Sequence, residues 1–237
     1  MPRRSYDHYC AIARALDVVG ERWTLLIVRE LLGGPRRYSG LLGDLPGIST
    51  DVLAARLREM EADGLLARRP AAARGAAFVY ALTADGRALS PVVEALAAWG
   101  GPRLTDRSPT DAQRPHWLAL PLARHLRESA DHRRPTTVEV RLEDGTFHIH
   151  LGHPDAAEQA GEPGSTATRA AYGDGPAGCP DAVLAIDHAT ATAIAADRLA
   201  LDEALRTGRA TISGATPIAA ALTGDPPAAD LGDAHSA

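Results

Sequence analysis

From Ser49 to Gly64 the chain reads STDVLAARLREMEADG, and the chemistry this stretch offers is recognition of base edges. Leu53, Leu57 and Met60 recur at helical spacing and mark one side as buried. At about 100° per residue, Asp51, Ala54, Ala55 and Arg58 turn the other way, with Thr50 at the leading end. Short side chains there let a second surface come close. An arginine can bond guanine bidentately, and an alanine can meet a thymine methyl. Ser49 is placed to cap the helix, and Asp51 sits where the dipole favours an acid. Arg36, Arg37, Arg56, Arg68, Arg69 and Arg74 are candidates for phosphate contacts, and Tyr38 and Ser49 are further candidates for DNA contact. Phosphate contacts give affinity and salt dependence without reading sequence.

Two further groups carry chemistry. Cys10 falls opposite an Ile12–Leu16–Val19 stripe, in the first turn of a helix that Asp7 can cap. A helix N-terminus lowers a thiol pKa, and Asp7 opposes this. Cys10 is therefore either a reactive thiol or an unreactive cysteine at a subunit interface. The second group, His148-x-His150-x-x-His153, has the outline of a metal site. A hairpin turning on Asp144-Gly145 puts Arg141 beside His148, however, and a cation there disfavours metal. Solvent-facing histidines are the expectation. There is no glycine-rich phosphate loop and no G-x-S-x-G elbow, so neither an enzyme nor a cofactor is expected.

The elements that must position these residues follow from pattern. A helix runs from Asp7 to about Val19, with Tyr9, Ile12, Ala13, Leu16 and Val19 on one side. ERWTLLIVRELL is a second helix and the most buried, stopped by Gly33-Gly34-Pro35. RRYSGLLGDLPG gives a third, with Leu41, Leu42 and Leu45 inward, and a tight turn leads into the helix after Ser49. LLARRP and FVYALT are two short strands, with Phe78, Tyr80 and Leu82 alternating around a loop that carries Arg74. A last helix is capped by Thr83, runs to Trp99 and kinks at Pro91. Its apolar residues Val92, Val93, Leu96, Ala97 and Trp99 call for a second subunit as cover.

Composition separates the two halves of the 237 residues. Residues 1–105 carry 14 arginines against 11 acids, a net of +3, and the rest carry 11 against 19, a net of −8. Lysine is absent. Only the first half is suited to a polyanion. Two distant cysteines make no disulfide framework. No apolar run spans a membrane and no signal-peptide core follows MPRRSYDHYC, so a cytoplasmic protein with no membrane partner is expected.

Cys10, VVGERWTLLIVRELLGGPRRYSGLL, LPGISTDVLAARLREMEADGLLARR and YALTADGRAL stand in one order. Together they resemble the HxlR family of bacterial winged-helix regulators over about residues 8–100. The resemblance implies a homodimer on a roughly palindromic double-stranded DNA operator. It also implies that Cys10 occupies a position some members use to sense oxidants or electrophiles. Tyr38 stands where the family usually has Phe, and the wing AAARGAAF lacks the frequent prolines.

Residues 101–115 read as a linker, rich in Pro, Gly and charge. WLALPLARHLRESA follows as a helix with Leu118, Leu122 and Leu126 on one face. TVEVRLEDGTFHIHLG is then a hairpin pairing Leu142 with Phe147, Val140 with Ile149 and Val138 with Leu151. Beyond it come a strand near Thr168–Tyr172, the strand AVLAID, two helices, the strand ATISG and a helix ATPIAAALTG. Residues 116–223 resemble the sterol-carrier-protein-2-like domains, through the hairpin, a strand followed by helix, and DEALRTGRATISG. The resemblance implies a sheet with helices on one face and an apolar tunnel. Val138, Val140, Leu142, Phe147, Ile149 and Leu151 would line that tunnel or else form plain core.

The expected architecture is α+β. A winged helix-turn-helix, mostly α with a β-wing, over 1–100 precedes the linker, the α+β domain over 116–223 and a disordered tail over 224–237. The expected function is a DNA-binding regulator controlled by a small hydrophobic effector. The alternative is a redox or electrophile sensor using Cys10, with the second domain only structural.

Overall fold

The computed structural model describes residues 5–71, 78–104, 107–129, 135–152 and 171–214. They divide into two units, one on residues up to Trp99 with 107–114 and 171–172, the other on 100–104, 115–152 and 173–214. The strand expected near Thr168–Tyr172 lies mostly outside the described residues. The helix ATPIAAALTG, the tail, Arg74 and His153 lie wholly outside them.

In the first unit, α1 (Ala11–Val19) starts later than its apolar spacing suggests. The cap is Cys10, not Asp7, because residues 5–7 turn back along the helix. The Ser5 hydroxyl and the Tyr6 N–H both donate to the Asp17 carboxylate, at 3.0 and 2.9 Å. Only Ala13 and Val19 of α1 are buried. α2 (Thr24–Leu32) buries Ile27, Val28, Leu31 and Leu32 and forms the middle of the unit. α3 (Tyr38–Asp44) contributes Leu41, and Leu45 and Ile48 follow in the turn. α4 (Thr50–Ala62) buries Leu53, Leu57 and Met60 and presents its other side to solvent.

Gly64 ends α4 in the left-handed region, at φ +74°. Leu65 N–H then reaches the Met60 carbonyl at 2.9 Å, and Gly64 N–H reaches that of Glu61 at 3.1 Å. This paired closure satisfies carbonyls the helix would leave open. The antiparallel strands β1 (Leu66–Pro70) and β2 (Phe78–Leu82) form the wing, with Leu66 opposite Leu82. The residues from Thr83 to Trp99 form two helices where one kinked helix was expected, α5 (Ala84–Arg87) and α6 (Ser90–Gly100). Pro91 sits in the first turn of α6, where its missing N–H is not needed, so it starts a helix and bends none. Residues 107–114 are folded as well: Arg107 donates to the Asp111 carbonyl, and Arg114 to the Gly43 carbonyl at 2.9 Å.

The second unit is a five-stranded sheet with three helices against it. Its elements are α7 (Ala119–Ser129), β3 (Thr136–Leu142), β4 (Gly145–Leu151), β5 (Tyr172–Asp174), β6 (Ala182–Ile186), α8 (His188–Ala195), α9 (Leu201–Arg206) and β7 (Ala210–Ser213). The strand order is β5-β4-β3-β6-β7, with β3 and β6 parallel. Leu118, Leu122 and Leu126 are buried together with the apolar side of β3 and β4.

The β3–β4 register differs from expectation by two residues. Val140 faces Phe147, Val138 faces Ile149, and the turn is Glu143–Asp144. Gly145 belongs to β4, where a Cβ would lie 2.8 Å from Pro115 Cγ. The turn acids are used elsewhere: Glu143 accepts the His188 N–H at 3.0 Å, and Asp144 lies 3.3 Å from the His188 ring. A shift of two preserves the faces. It does place His148 opposite Glu139 and His150 opposite Thr137. His148 Nδ1 lies 3.1 Å from the Gly175 carbonyl and His150 Nδ1 3.2 Å from Thr137 Oγ1. Both rings therefore serve as partners within the sheet and its covering segment.

Candidate nucleic-acid interface

The outward side of α4 is built from its N-terminus. Ser49 Oγ accepts the Val52 N–H at 3.3 Å, closing the first turn. Tyr38, in the first turn of α3, donates its hydroxyl to the Thr50 carbonyl at 2.7 Å. The residue read as a possible DNA contact thus ties the two helices of the helix-turn-helix together. Ser49, Thr50, Asp51 and Arg58 are exposed, and Ala54 and Ala55 are half-buried beside them. Arg58 Nε bonds the Ala54 carbonyl at 3.2 Å, so the guanidinium leans back along the helix. Pattern reading passed over Val52 and Glu59, which are also exposed on α4. Val52 is visible in the sequence as an apolar residue outside the Leu53–Leu57–Met60 stripe.

The arginines separate into two groups. Arg36 turns inward: it bonds the Asp44 carboxylate at 2.8 Å and the Glu30 carbonyl at 2.9 Å, and its guanidinium lies 3.7 Å from the Glu30 carboxylate. Its backbone pairs both ways with Tyr80 of β2, at 3.0 and 2.8 Å. Glu30 is fully buried and also takes Arg29 at 2.6 Å. A buried carboxylate needs such partners, and breaking the set would leave a charge uncompensated. Arg56 is similarly engaged, with Glu59 at 2.6 Å and Glu21 at 3.5 Å. In contrast, Arg37, Arg58, Arg68 and Arg69 are exposed and form no ion pair with the described residues. Arg37 precedes α3 as its cap residue. Arg68 stacks on Phe78, 4.1 Å from the ring centroid, a contact between β1 and β2.

Cys10 is fully exposed at the N-cap of α1. The N–H groups of Ala13 and Ile12 face its sulfur and lower its pKa, although no capping hydrogen bond of full geometry forms. In the second unit, Val138, Val140, Leu142, Phe147, Ile149 and Leu151 are all buried in the core. A cleft of about 280 Å³ in that unit is lined by His125, Glu128, Asp197, Leu199, Ala200, Leu201 and Asp202, none of them among those six. No helix of the described residues is long and apolar enough to cross a membrane.

The profile of the HxlR-like helix-turn-helix family matches residues 18–108. The HTH-type transcriptional regulator sll1512 of Synechocystis sp. (strain ATCC 27184 / PCC 6803 / Kazusa) is 38% identical over 101 residues, which are 43% of this chain and 75% of that protein. YodB, an HTH-type transcriptional regulator of Bacillus subtilis, is 34% identical over 85 residues, 36% of this chain and 76% of that protein. Among solved structures, the oxidized form of the redox regulator HypR is 31% identical over 41% of this chain and the whole of that one, with a TM-score of 0.38.

Proposed function

The chain belongs to the HxlR-like helix-turn-helix family of transcriptional regulators, and from that premise we propose that it binds a two-fold DNA site as a homodimer, with α4 of each protomer in the major groove. The observation that carries the reading is how the start of α4 is held and what its outward side presents. Its leading turn is capped by Ser49 and tied to α3 by Tyr38, while its outward side keeps short and polar residues. Thr50, Asp51, Ala54, Ala55 and Arg58 are assigned to base edges. Arg37, Arg68 and Arg69 are assigned to phosphates, and Arg74 belongs with them by its place in the wing sequence. Arg36 and Arg56 are given a different role, holding the helix-turn-helix in shape.

α4 carries Asp51, Glu59 and Glu61 against Arg56 and Arg58, so the helix itself is not basic. Affinity must come from arginines outside it. Operator duplexes selected from a random library test this. Arg37→Ala is expected to weaken binding to all duplexes alike and to reduce the slope of log K against log salt by about one. Arg58→Ala is expected to relax preference at one base position. An unchanged slope in the first and an unchanged preference in the second would refute the assignment.

For the second unit the proposal includes a small apolar effector. A five-stranded sheet with helices against it supports the sterol-carrier-protein-2-like reading, and Val138, Val140, Leu142, Phe147, Ile149 and Leu151 supply apolar surface. Because all six are buried, uptake there requires the seam between sheet and helices to part. Control of DNA binding then requires different effector affinity in the two states; equal affinity with and without operator overturns this part. A second reading, thiol sensing, is favoured by the exposed Cys10 sulfur at the start of α1 and by its lowered pKa.

A further inference from the structure

Val52 is an apolar residue on the solvent side of α4, and it is 43% exposed. The Ser49 hydroxyl holds its N–H, which fixes it in the first turn. Helical Cα–Cβ bonds tilt toward the N-terminus, so its side chain projects over the leading end of the helix. That end is the part of a recognition helix that meets base edges. The neighbours leave part of it open to solvent. Arg56, one turn on, is drawn to Glu21 and Glu59. Ala55, three residues on, adds only a methyl group. The Tyr38–Thr50 bond fixes this turn to α3. Valine is restricted to one main rotamer in a helix, so its two methyl groups are presented in a set position. The apolar feature that a base pair displays in the major groove is the thymine C5-methyl.

Resting on the DNA-reading role of α4, we infer that Val52 is a specificity-determining residue that packs on the C5-methyl of one thymine in each half-site. The contact is apolar and selects thymine over cytosine and over either purine at that strand position. It complements Asp51 and Arg58, which offer an acceptor and a donor to other base edges.

The test uses the full chain and duplexes it selects from a random library, aligned into half-sites. Each half-site thymine is replaced singly by deoxyuridine, which removes the methyl and keeps every hydrogen-bonding group. Affinities are measured by fluorescence anisotropy at one salt concentration. One position is expected at which the replacement weakens the native protein about fourfold. Val52→Ala is expected to bind the thymine and deoxyuridine duplexes equally, with an unchanged melting temperature. The inference is overturned if no replacement weakens the native protein, or if Val52→Ala keeps the difference; the selected site would still stand. Failure to enrich any sequence overturns both this inference and the reading of the chain as a sequence-specific DNA binder.

Discussion

Cys10 shows what a single residue owes to its local backbone. Its sulfur stands before two N–H groups that an isolated helix would leave unpaired, and these favour the thiolate. The fraction ionised near neutral pH therefore exceeds that of an ordinary cysteine, and alkylation should follow. The rate of iodoacetamide modification at Cys10, mapped by mass spectrometry, is expected to reach half-maximum at a lower pH than for cysteine in an unstructured peptide. An equal or higher midpoint would remove the basis for sensing. If the thiol is the trigger, oxidant releases operator DNA from the native protein and not from Cys10→Ser. Release that is identical in the variant assigns the response elsewhere. The residue types that carry this chemistry were legible in the sequence; their partners were not. Asp7 reads as a cap until Ser5 and Tyr6 are seen bonding Asp17. Arg36 reads as half of a basic pair until Glu30 and Asp44 are brought to it from either side.

Among the elements, the junction of wing and helix shows what the run Leu82-Thr83-Ala84-Asp85-Gly86 does. Thr83 Oγ1 donates to the Gly64 carbonyl at 2.6 Å and accepts the Gly86 N–H at 3.1 Å. Thr83 thereby joins the end of α4 to the start of α5. Gly86 lies so close to the chain after α4 that a Cβ would stand 1.9 Å from the Leu65 carbonyl oxygen. Backbone cannot yield as a side chain can, so Gly86→Ala should force the two segments apart. A loss of about 2 kcal/mol is expected, within the usual range for overpacking. Calorimetric melting checks it, and an unchanged transition temperature would show that the segments part freely. α2 and α4 were legible because apolar spacing marks them directly and Gly64 closes α4. The hairpin register was not. Asp-Gly is a strong local turn signal, but Gly145 is needed where Pro115, thirty positions earlier, crosses the strand end. A distant contact overrode a local preference. The even shift kept Val138, Val140, Phe147 and Ile149 on the core side.

For the whole molecule, the first unit leaves apolar side chains uncovered on two helices. Ile12 and Leu16 of α1 are exposed, as are Val92 and Leu96 of α6. Scattered surface leucines need no explanation, but two helices that each turn an apolar row outward are suited to a partner. A two-fold DNA site would make the same demand: with one α4 on each half-site, only a dimer would link them. Linking also multiplies affinity, because the second half-site is met at high effective concentration. Leu96→Glu places a carboxylate in the row without touching α4 or the wing. The native protein is expected to sediment as a dimer at micromolar concentration and the variant as a monomer with unchanged helix content. Operator affinity should fall about 100-fold or more, while affinity for a single half-site stays level. A variant that remains dimeric would place the contact elsewhere. A native protein that is monomeric, yet protects both half-sites, would mean that DNA itself brings the two copies together.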